Sequence, residues 1–214
     1  MTKKYEFVPG DEIIIAPGRT VKRIRALVAI AVLGVMPGEL GGYVEAEANF
    51  AQVSGDAWVY GDARVYGDAW VSGDARVYGN ARVYGNAQVS GNARVYGNAR
   101  VYGNARVYGN ARVYGNAQVS GDAWVYGDAR VYGDGLIFWA SKVGTENGTL
   151  TVYNGKDGLI VSRGCFLGTI DEFLDKSERV HDNETHTEYR LLIEVAYSRI
   201  TRALAKTEKP AEAS

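Results

Sequence analysis

Small apolar and polar residues alternate through the middle of the chain with a period of six. Between residues 51 and 134 the consensus is Ala-Arg-Val-Tyr-Gly-Asn without insertion, and valine recurs fourteen times from Val53 to Val131. Alternation along a strand sends Ala and Val to one side and Arg and Tyr to the other. Gly followed by Asn or Asp tolerates the positive φ of a sharp corner. The pattern predicts a parallel β-helix, in which each unit is one strand, Ala-Arg-Val-Tyr, and one corner.

Three such units make one coil, so side chains eighteen positions apart in the sequence are predicted to stack. The first predicted face then carries a tyrosine column with an arginine column beside it, and both columns face solvent. The second face repeats this arrangement with other members. On the first face the residues are Tyr60, Tyr78, Tyr96 and Tyr114 beside Trp58, Arg76, Arg94 and Arg112, and on the second they include Arg82 and Arg100.

The middle of the array lacks acidic residues. From Ala75 to Gly121 there are six arginines and no Asp or Glu, because the corner residue is Asn from 80 to 116 and Asp on either side. Tyrosine and arginine are enriched in binding hot spots, and a positive belt favours an acidic protein, another anionic ligand or nucleic acid. Alternatively, the columns only stabilise the stack. The candidate binding residues are Tyr60, Tyr78, Tyr96, Tyr114, Arg76, Arg82, Arg94, Arg100 and Arg112.

The N-terminal segment has the pattern of a small β meander. Pro9-Gly10 and Pro17-Gly18 separate three β-prone runs. Val44 lies nine residues before Val53, out of register with the array, so residues 1–50 are predicted to form an N-terminal β cap over the first coil. Lys22, Arg23 and Arg25 are interpreted as solvated charges on a strand edge. The predicted strands are Tyr5 to Val8, Glu12 to Ala16 and Val21 to Ala31.

Residues 135–205 have the pattern of a small α+β domain, followed by a flexible tail at 206–214. A hairpin turn is predicted at 154–158. Thr169 and Glu172 form a capping box that begins a helix running toward Val180. A second helix is predicted at about 188–205 with an apolar face of Leu192, Val195, Ala196 and Ile200. The predicted strands are Leu136 to Val143, Thr149 to Tyr153 and Leu159 to Ser162.

The composition of the chain restricts its possible partners, cellular location and catalytic residues. The formal net charge of −1 gives no overall attraction to nucleic acid. The single cysteine, Cys165, favours a reducing compartment, and the longest apolar run, 26–36, is too short to span a bilayer, so a cytoplasmic location is expected. Cys165 and His181 could supply a nucleophile and a base. A small buried thiol, and a turn between two helices at His181-Asp182-Asn183, are the favoured interpretations.

Several stretches resemble known proteins. The repeats are similar to hexapeptide-repeat proteins with a left-handed parallel β-helix, and more specifically to phage and prophage members often labelled acetyltransferases. The C-terminal segment resembles a domain of phage-associated proteins. The N-terminal matches are Arg23-Ile24-Arg25-Ala26-Leu27, Gly38-Glu39-Leu40-Gly41-Gly42-Tyr43-Val44-Glu45, Glu47-Ala48-Asn49 and Trp58-Val59-Tyr60. The C-terminal matches are Gly144, Thr149-Leu150-Thr151, Gly164-Cys165-Phe166-Leu167-Gly168-Thr169, Glu172-Phe173, His181 and Tyr189.

The residues do not support the activity that this label implies. Acyltransferases of this fold use a histidine base, and their zinc-dependent relatives bind the metal with three histidine ligands. The array contains no His, Glu, Lys, Cys or Thr. No catalytic residue, metal or cofactor is therefore predicted. We expect a phage-type binding or scaffold protein with a protein or anionic partner, capable of forming dimers or trimers. The alternatives are an acyltransferase-like enzyme, and an inhibitor that sequesters a host defence protein or a nucleotide signal.

Overall fold

A computed structural model describes residues 3–52, 55–133, 135–155 and 158–207. Within these ranges the chain is mainly β, with twenty strands, β1 to β20, and two α-helices, α1 and α2. Val53 and Ser54 of the array, Asp134, part of the predicted hairpin turn and most of the predicted tail lie outside the described residues.

The array winds into three sheets, which we call faces 1, 2 and 3. Successive strands pass from one face to the next, and each strand pairs in parallel with the strand one coil away. Face 1 comprises β4 (Trp58–Val59), β7 (Arg76–Val77), β10 (Arg94–Val95), β13 (Arg112–Tyr114) and β16 (Arg130–Tyr132). Face 2 comprises β3 (Leu40–Val44), β5 (Arg64–Val65), β8 (Arg82–Val83), β11 (Arg100–Val101) and β14 (Gln118–Val119). Face 3 comprises β6 (Trp70–Val71), β9 (Gln88–Val89), β12 (Arg106–Val107) and β15 (Trp124–Val125).

Backbone hydrogen bonds between coils fix the predicted stacking. In the unit around β10, the amides of Arg94, Tyr96 and Asn98 donate to carbonyls seventeen residues later, at 2.8 to 2.9 Å. The accepting carbonyls in every unit belong to Ala, Val and Gly. Arg94 therefore stands opposite Arg112, and Val95 opposite Val113, which confirms that residues eighteen apart share a column.

Alanines and valines line the interior of the array. From Ala57 to Val131 these side chains are at most 2 % exposed and form one continuous cluster. Narrow coils suit them because Ala and Val fill a thin space without voids, and close packing is what stabilises a core. The predicted inward and outward alternation is confirmed.

The strands are shorter than the predicted Ala-Arg-Val-Tyr. Most span two residues, because a corner follows after every sixth residue and leaves little extended backbone. Each corner glycine has φ between 58° and 73°, where a side chain is strained. A Cβ on Gly97 would also lie 3.0 Å from the amide nitrogen of Gly115. Glycine is therefore required at the corner for two reasons. Its φ is positive, and the backbone of the next coil leaves no room for a Cβ.

The corner asparagines form side-chain ladders along the edges of the β-helix. The Nδ2 atom of Asn86 donates to Oδ1 of Asn104 at 3.0 Å, and Nδ2 of Asn104 donates to Oδ1 of Asp122 at 2.9 Å. A second ladder runs from Asn92 through Asn110 to Asp128. An internal rung must both donate and accept, which Asn does and ionised Asp cannot, whereas the last rung only accepts. The absence of acids from the middle of the array thus has a structural cause.

The N-terminal segment extends face 2. Strand β1 (Tyr5–Ala16) pairs antiparallel with β2 (Arg19–Ala26), and β2 pairs with β3. The two predicted runs before residue 17 form one strand, whose register shifts between Phe7 and Glu12 where Pro9 and Gly10 interrupt the ladder. The third run ends at Ala26 rather than Ala31. Short 3₁₀ helices follow at Ala31–Leu33 and Glu47–Asn49.

The first coil is completed by residues that precede the array. Val44 pairs with Val65, and Phe50 bridges to Val71, so both spacings are twenty-one residues rather than eighteen. Val44 is therefore out of register in the sequence but aligned in space.

Three side chains from this segment donate to corner carbonyls of the first coil. Lys4 Nζ reaches the Gly55 carbonyl at 2.9 Å, Arg23 Nη1 reaches that of Gly61 at 2.9 Å, and Asn49 Nδ2 reaches that of Gly67 at 2.6 Å. Within the part of the chain that the structure describes, no backbone amide donates to these carbonyls. The interpretation of Arg23 as a solvated edge charge was wrong, because its guanidinium also contacts Tyr43 and Asp11 and is 19 % exposed.

The C-terminal module places a sheet between the last coil and two helices. Thr151 and Tyr153 are buried against the coil, and Thr151 Oγ1 accepts a hydrogen bond from the Trp124 amide at 3.2 Å. Leu150 and Val152 face the helices. The strands are β17 (Ile137–Val143), β18 (Gly148–Asn154), β19 (Leu159–Arg163) and β20 (Phe166–Thr169), in an antiparallel meander. Strand β20 was not predicted, because its four residues directly precede a helix.

The helices fit the sequence pattern in part. The capping box of Thr169 and Glu172 is present, and α1 covers Ile170–Val180. Helix α2 covers Asn183–Thr207, five residues longer at its start than predicted, because the Asp182 carboxylate accepts from the Thr185 amide. Val195 was wrongly placed on the buried face and is 49 % exposed. The buried stripe is Tyr189, Ile193, Ala196 and Ile200.

We predict that Asn104→Asp destabilises the fold. The new carboxylate would lose its donor to Asp122 and stand opposite a like charge, which should cost about 1 kcal/mol. The loss should shrink as the pH falls and the carboxylates become protonated. Urea unfolding at pH 7 and pH 4 measures both effects.

The matched control is Asp122→Asn, which changes the same ladder by one charge at its accepting end. Asn keeps the acceptor oxygen, so unfolding should change little. Equal destabilisation by the two substitutions would contradict the ladder.

Candidate binding face

Face 1 carries the longest tyrosine column. The flat surface of each ring in this column is covered by the neighbouring ring. The centroids of Tyr78 and Tyr96 are 4.7 Å apart with an interplanar angle of 1°, and Tyr96 and Tyr114 are 4.9 Å apart at 3°. Tyr132 continues the stack at 5.5 Å. The column therefore presents ring edges and hydroxyl groups to solvent rather than π faces.

Beside it stands a column of like charges. Arg76, Arg94, Arg112 and Arg130 occupy successive coils and are paired residue by residue through their strands. The described residues contain six ion pairs, and all of them lie in the N-terminal segment or the C-terminal module. Within the described chain, then, no arginine of face 1 has a carboxylate within 4 Å. Two unit charges about 4.8 Å apart, the spacing of neighbouring strands, repel by about 1 kcal/mol in water.

The C-terminal part of the arginine column lines a groove of about 330 Å³ along one edge of the β-helix. It is lined by Arg94, Arg112 and Arg130 and by the corner residues Asn92, Asn110 and Asp128. Three guanidinium groups thus share a groove with one carboxylate. This arrangement can bind an extended row of anionic groups.

The lower end of the face differs from the prediction. Trp58 was placed in the exposed column but is 1 % exposed, because Phe50 packs against it with ring centroids 6.1 Å apart and Tyr5 stacks on Phe50. Tyr60 leaves the stack and meets Tyr78 edge to face at 87°. The regular surface therefore begins at Tyr78 and Arg76.

The nine candidate residues divide between two faces. Tyr60, Tyr78, Tyr96, Tyr114, Arg76, Arg94 and Arg112 share face 1, whereas Arg82 and Arg100 lie on face 2. Arg82 also lines a pocket of about 320 Å³ beside Ile15 and Arg19 of the N-terminal hairpin. Face 3 is partly covered by the module, since the Tyr126 hydroxyl donates to the Phe166 carbonyl at 2.7 Å. Face 1 is the longest open Tyr and Arg surface.

Partial burial in the columns affects tyrosine ionisation. Burial raises the pKa of Tyr96 and Tyr114, while the neighbouring arginines oppose the shift. Tyr84 and Tyr108 on the other faces shift in the same direction. The hydroxyl groups are therefore neutral hydrogen-bonding groups at neutral pH.

Cys165 and His181 line one pocket in the C-terminal module. Cys165 was interpreted as a buried apolar residue, but it is exposed because it follows Gly164 at the tip of the β19–β20 hairpin. His181 ends α1 as the turn interpretation predicted. The pocket also contains Tyr189, one of the residues of the C-terminal resemblance, and Arg163 and Lys176, which no sequence motif marked.

The repeats match the sequence model of the YdcK β-solenoid repeat. Matches cover 57–73, 75–91, 87–103, 93–109, 99–115, 105–121 and 117–133. The array is therefore a β-solenoid, as its three parallel sheets also show. No curated protein matches the chain in a sequence comparison. The flanking segments lie outside the matched residues.

Two further properties concern the described residues only. Neither helix of the solenoid's C-terminal module is long and apolar enough to cross a bilayer. Across the described ranges, no three His, Cys, Asp or Glu side chains come together in a group that could hold a metal ion.

The tyrosine columns predict an alkaline loss of stability. A tyrosine whose pKa is higher in the native state than its unfolded value of about 10 stabilises the fold. This contribution is fully present below about pH 10 and is lost as the pH rises through the native pKa. The double variant Tyr96→Phe/Tyr114→Phe keeps the stack but cannot ionise, so its melting temperature should fall less than that of the original protein between pH 9 and pH 11.

At pH 7 the two proteins should melt at similar temperatures, because the stacked ring area is unchanged. Absorbance at 295 nm would count the tyrosines that ionise late. Identical alkaline melting curves would contradict the assignment of the effect to this column.

Proposed function

We propose that the protein is a non-enzymatic scaffold whose face 1 binds an acidic partner protein. The observation that carries the proposal is the arginine column without carboxylate partners among the described residues. In the free protein this column is mutually repulsive, whereas the tyrosine and asparagine columns stabilise themselves. A row of carboxylates laid along the groove would neutralise the guanidinium groups and pair with them in charge-assisted hydrogen bonds.

The geometry favours an acidic protein over single-stranded nucleic acid. Proteins that bind single strands without sequence preference stack bases on exposed aromatic faces. On face 1 the faces of Tyr78, Tyr96 and Tyr114 are occupied by neighbouring rings 4.7 to 4.9 Å away. Their hydroxyl groups remain available as a row of donors and acceptors. A nucleic acid could use only its phosphates here, whereas an acidic protein could use carboxylates and backbone groups.

The two ends of the solenoid fit the role of a rigid support. We infer that the N-terminal segment acts as a cap, because Lys4, Arg23 and Asn49 supply donors to corner carbonyls of the first coil. Without them these carbonyls would lack partners at a partly buried end, which is costly. Burial lowers the pKa of the Lys4 ammonium, while Asp56 and Asp74 oppose the shift.

The remaining parts of the proposal rest on resemblance and on surface properties. Left-handed winding and a phage or prophage origin are implied by the similarity to phage hexapeptide-repeat proteins, and a cytoplasmic location is implied by the single cysteine. Self-association into dimers or trimers is supported by the exposed apolar side chains of α2, Leu191, Val195 and Tyr197, each about half exposed.

We predict that Arg94→Gln/Arg112→Gln weakens binding of a fluorescein-labelled oligoglutamate peptide by roughly tenfold at low salt. Fluorescence anisotropy at two salt concentrations measures the affinity and its salt dependence. Both should decrease in the variant, because two positive charges leave the groove.

Arg82→Gln/Arg100→Gln is the matched control, since it removes the same charge from face 2. It should leave most of the affinity intact. Equal losses in the two variants would show a dependence on net charge alone and would refute a site on face 1. Tighter binding of an oligothymidine of equal charge would refute the preference for an acidic protein.

A further inference from the structure

The pocket that contains Cys165 has a volume of about 220 Å³ and lies in the C-terminal module, away from face 1. Residues from the turn before β18, the β19–β20 hairpin, both helices and the link between them line it. Its size is below the roughly 300–1,000 Å³ of sites for drug-sized ligands. It therefore suits a small molecule or a single side chain of a larger one.

Cationic groups from two separate elements line this pocket. Arg163 comes from the end of β19 and Lys176 from α1. The carboxylate in the lining, Glu146, is 81 % exposed, and its Oε2 lies 3.6 Å from Arg163 Nη1. This contact is too long for a strong hydrogen bond. The pocket thus holds more positive than negative charge.

Arg163 is fixed in place before any ligand arrives. Its side chain is 11 % exposed, its Nε donates to the Tyr189 hydroxyl at 3.0 Å, and its Nη2 donates to the Val143 carbonyl at 3.3 Å. Neither partner carries a negative charge. A largely buried guanidinium that is oriented by neutral groups provides a preorganised site for an anion.

Aromatic rings also line the pocket. Phe166 and Phe173 meet edge to face with centroids 5.3 Å apart, and Phe173 meets Tyr189 in the same way at 5.2 Å. The Lys176 ammonium lies 5.3 Å from the centre of the Phe166 ring, which holds it at the pocket edge. Aromatic rings next to two cationic groups match a ligand with an apolar body and an anionic head.

We propose that this pocket binds a small organic anion, with a phosphate or carboxylate head at Arg163 and Lys176 and an apolar body against Phe166 and Phe173. Binding would place the ligand beside the Cys165 thiol. The site is independent of face 1 and does not require the acidic partner.

Cys165 provides a direct readout, because it is the only cysteine in the chain. Its alkylation by iodoacetamide, which is neutral, would be followed by mass spectrometry in the presence of phenyl phosphate, benzoate, inorganic phosphate or benzyl alcohol. Phenyl phosphate or benzoate should slow alkylation in a saturable manner. Inorganic phosphate should protect more weakly, and benzyl alcohol should protect least, because each lacks one half of the proposed ligand.

Lys176→Gln should raise the phenyl phosphate concentration needed for half protection by about tenfold, the effect of losing one charged hydrogen bond. Arg179→Gln is the matched control, because it removes the same charge from an exposed position on the same helix, outside the pocket. Circular dichroism melting would verify that both variants fold. Absence of protection by either organic anion, equal protection by benzyl alcohol, or equal shifts in the two variants would overturn the proposal.

Discussion

The hydrogen bonds between successive coils are the constraint on which the rest of the structure depends. Because the amides of the second, fourth and sixth residues of each unit donate to the coil above, every residue stands over the one eighteen positions earlier. The solenoid therefore gains Tyr-on-Tyr, Asn-on-Asn and Arg-on-Arg contacts together. It also acquires a direction, with free carbonyls at one end and free amides at the other.

This direction explains why the two flanking segments differ in chemistry. The first coil needs donors, and the N-terminal segment supplies Lys4, Arg23 and Asn49. The last coils need acceptors, and the C-terminal sheet supplies the Thr151 hydroxyl. A helix or sheet with only apolar side chains could cover the ends but could not satisfy these groups. The flanks are thus matched to the polarity of the parallel ladder.

Forced stacking also separates structural columns from functional ones. Tyrosine rings at 4.7 to 5.0 Å and amide ladders at about 3 Å stabilise the coils on which they stand. Arginine on arginine does not, and on face 1 the charge is not offset by carboxylates of the described chain within ion-pair distance. The acid-free middle, by contrast, loses part of its functional meaning, because an internal rung of the ladder requires Asn. The arginines carry the stronger argument for binding.

The sequence by itself determined the repeat, the inward Ala and Val, and the columns, because a strict period leaves one register in which every valine is buried. It also located the α1 capping box, which is a local interaction. Only the tertiary structure decided the burial of Trp58, the hydrogen bonds of Arg23 and the exposure of Cys165. Trp58 is buried by Phe50 from outside the period, Arg23 reaches a carbonyl thirty-eight residues away, and Cys165 lies at a hairpin tip whose strand was not predicted. The pocket of Arg163, Lys176 and Tyr189 belongs to the same class, because its members meet only when two helices pack on a sheet.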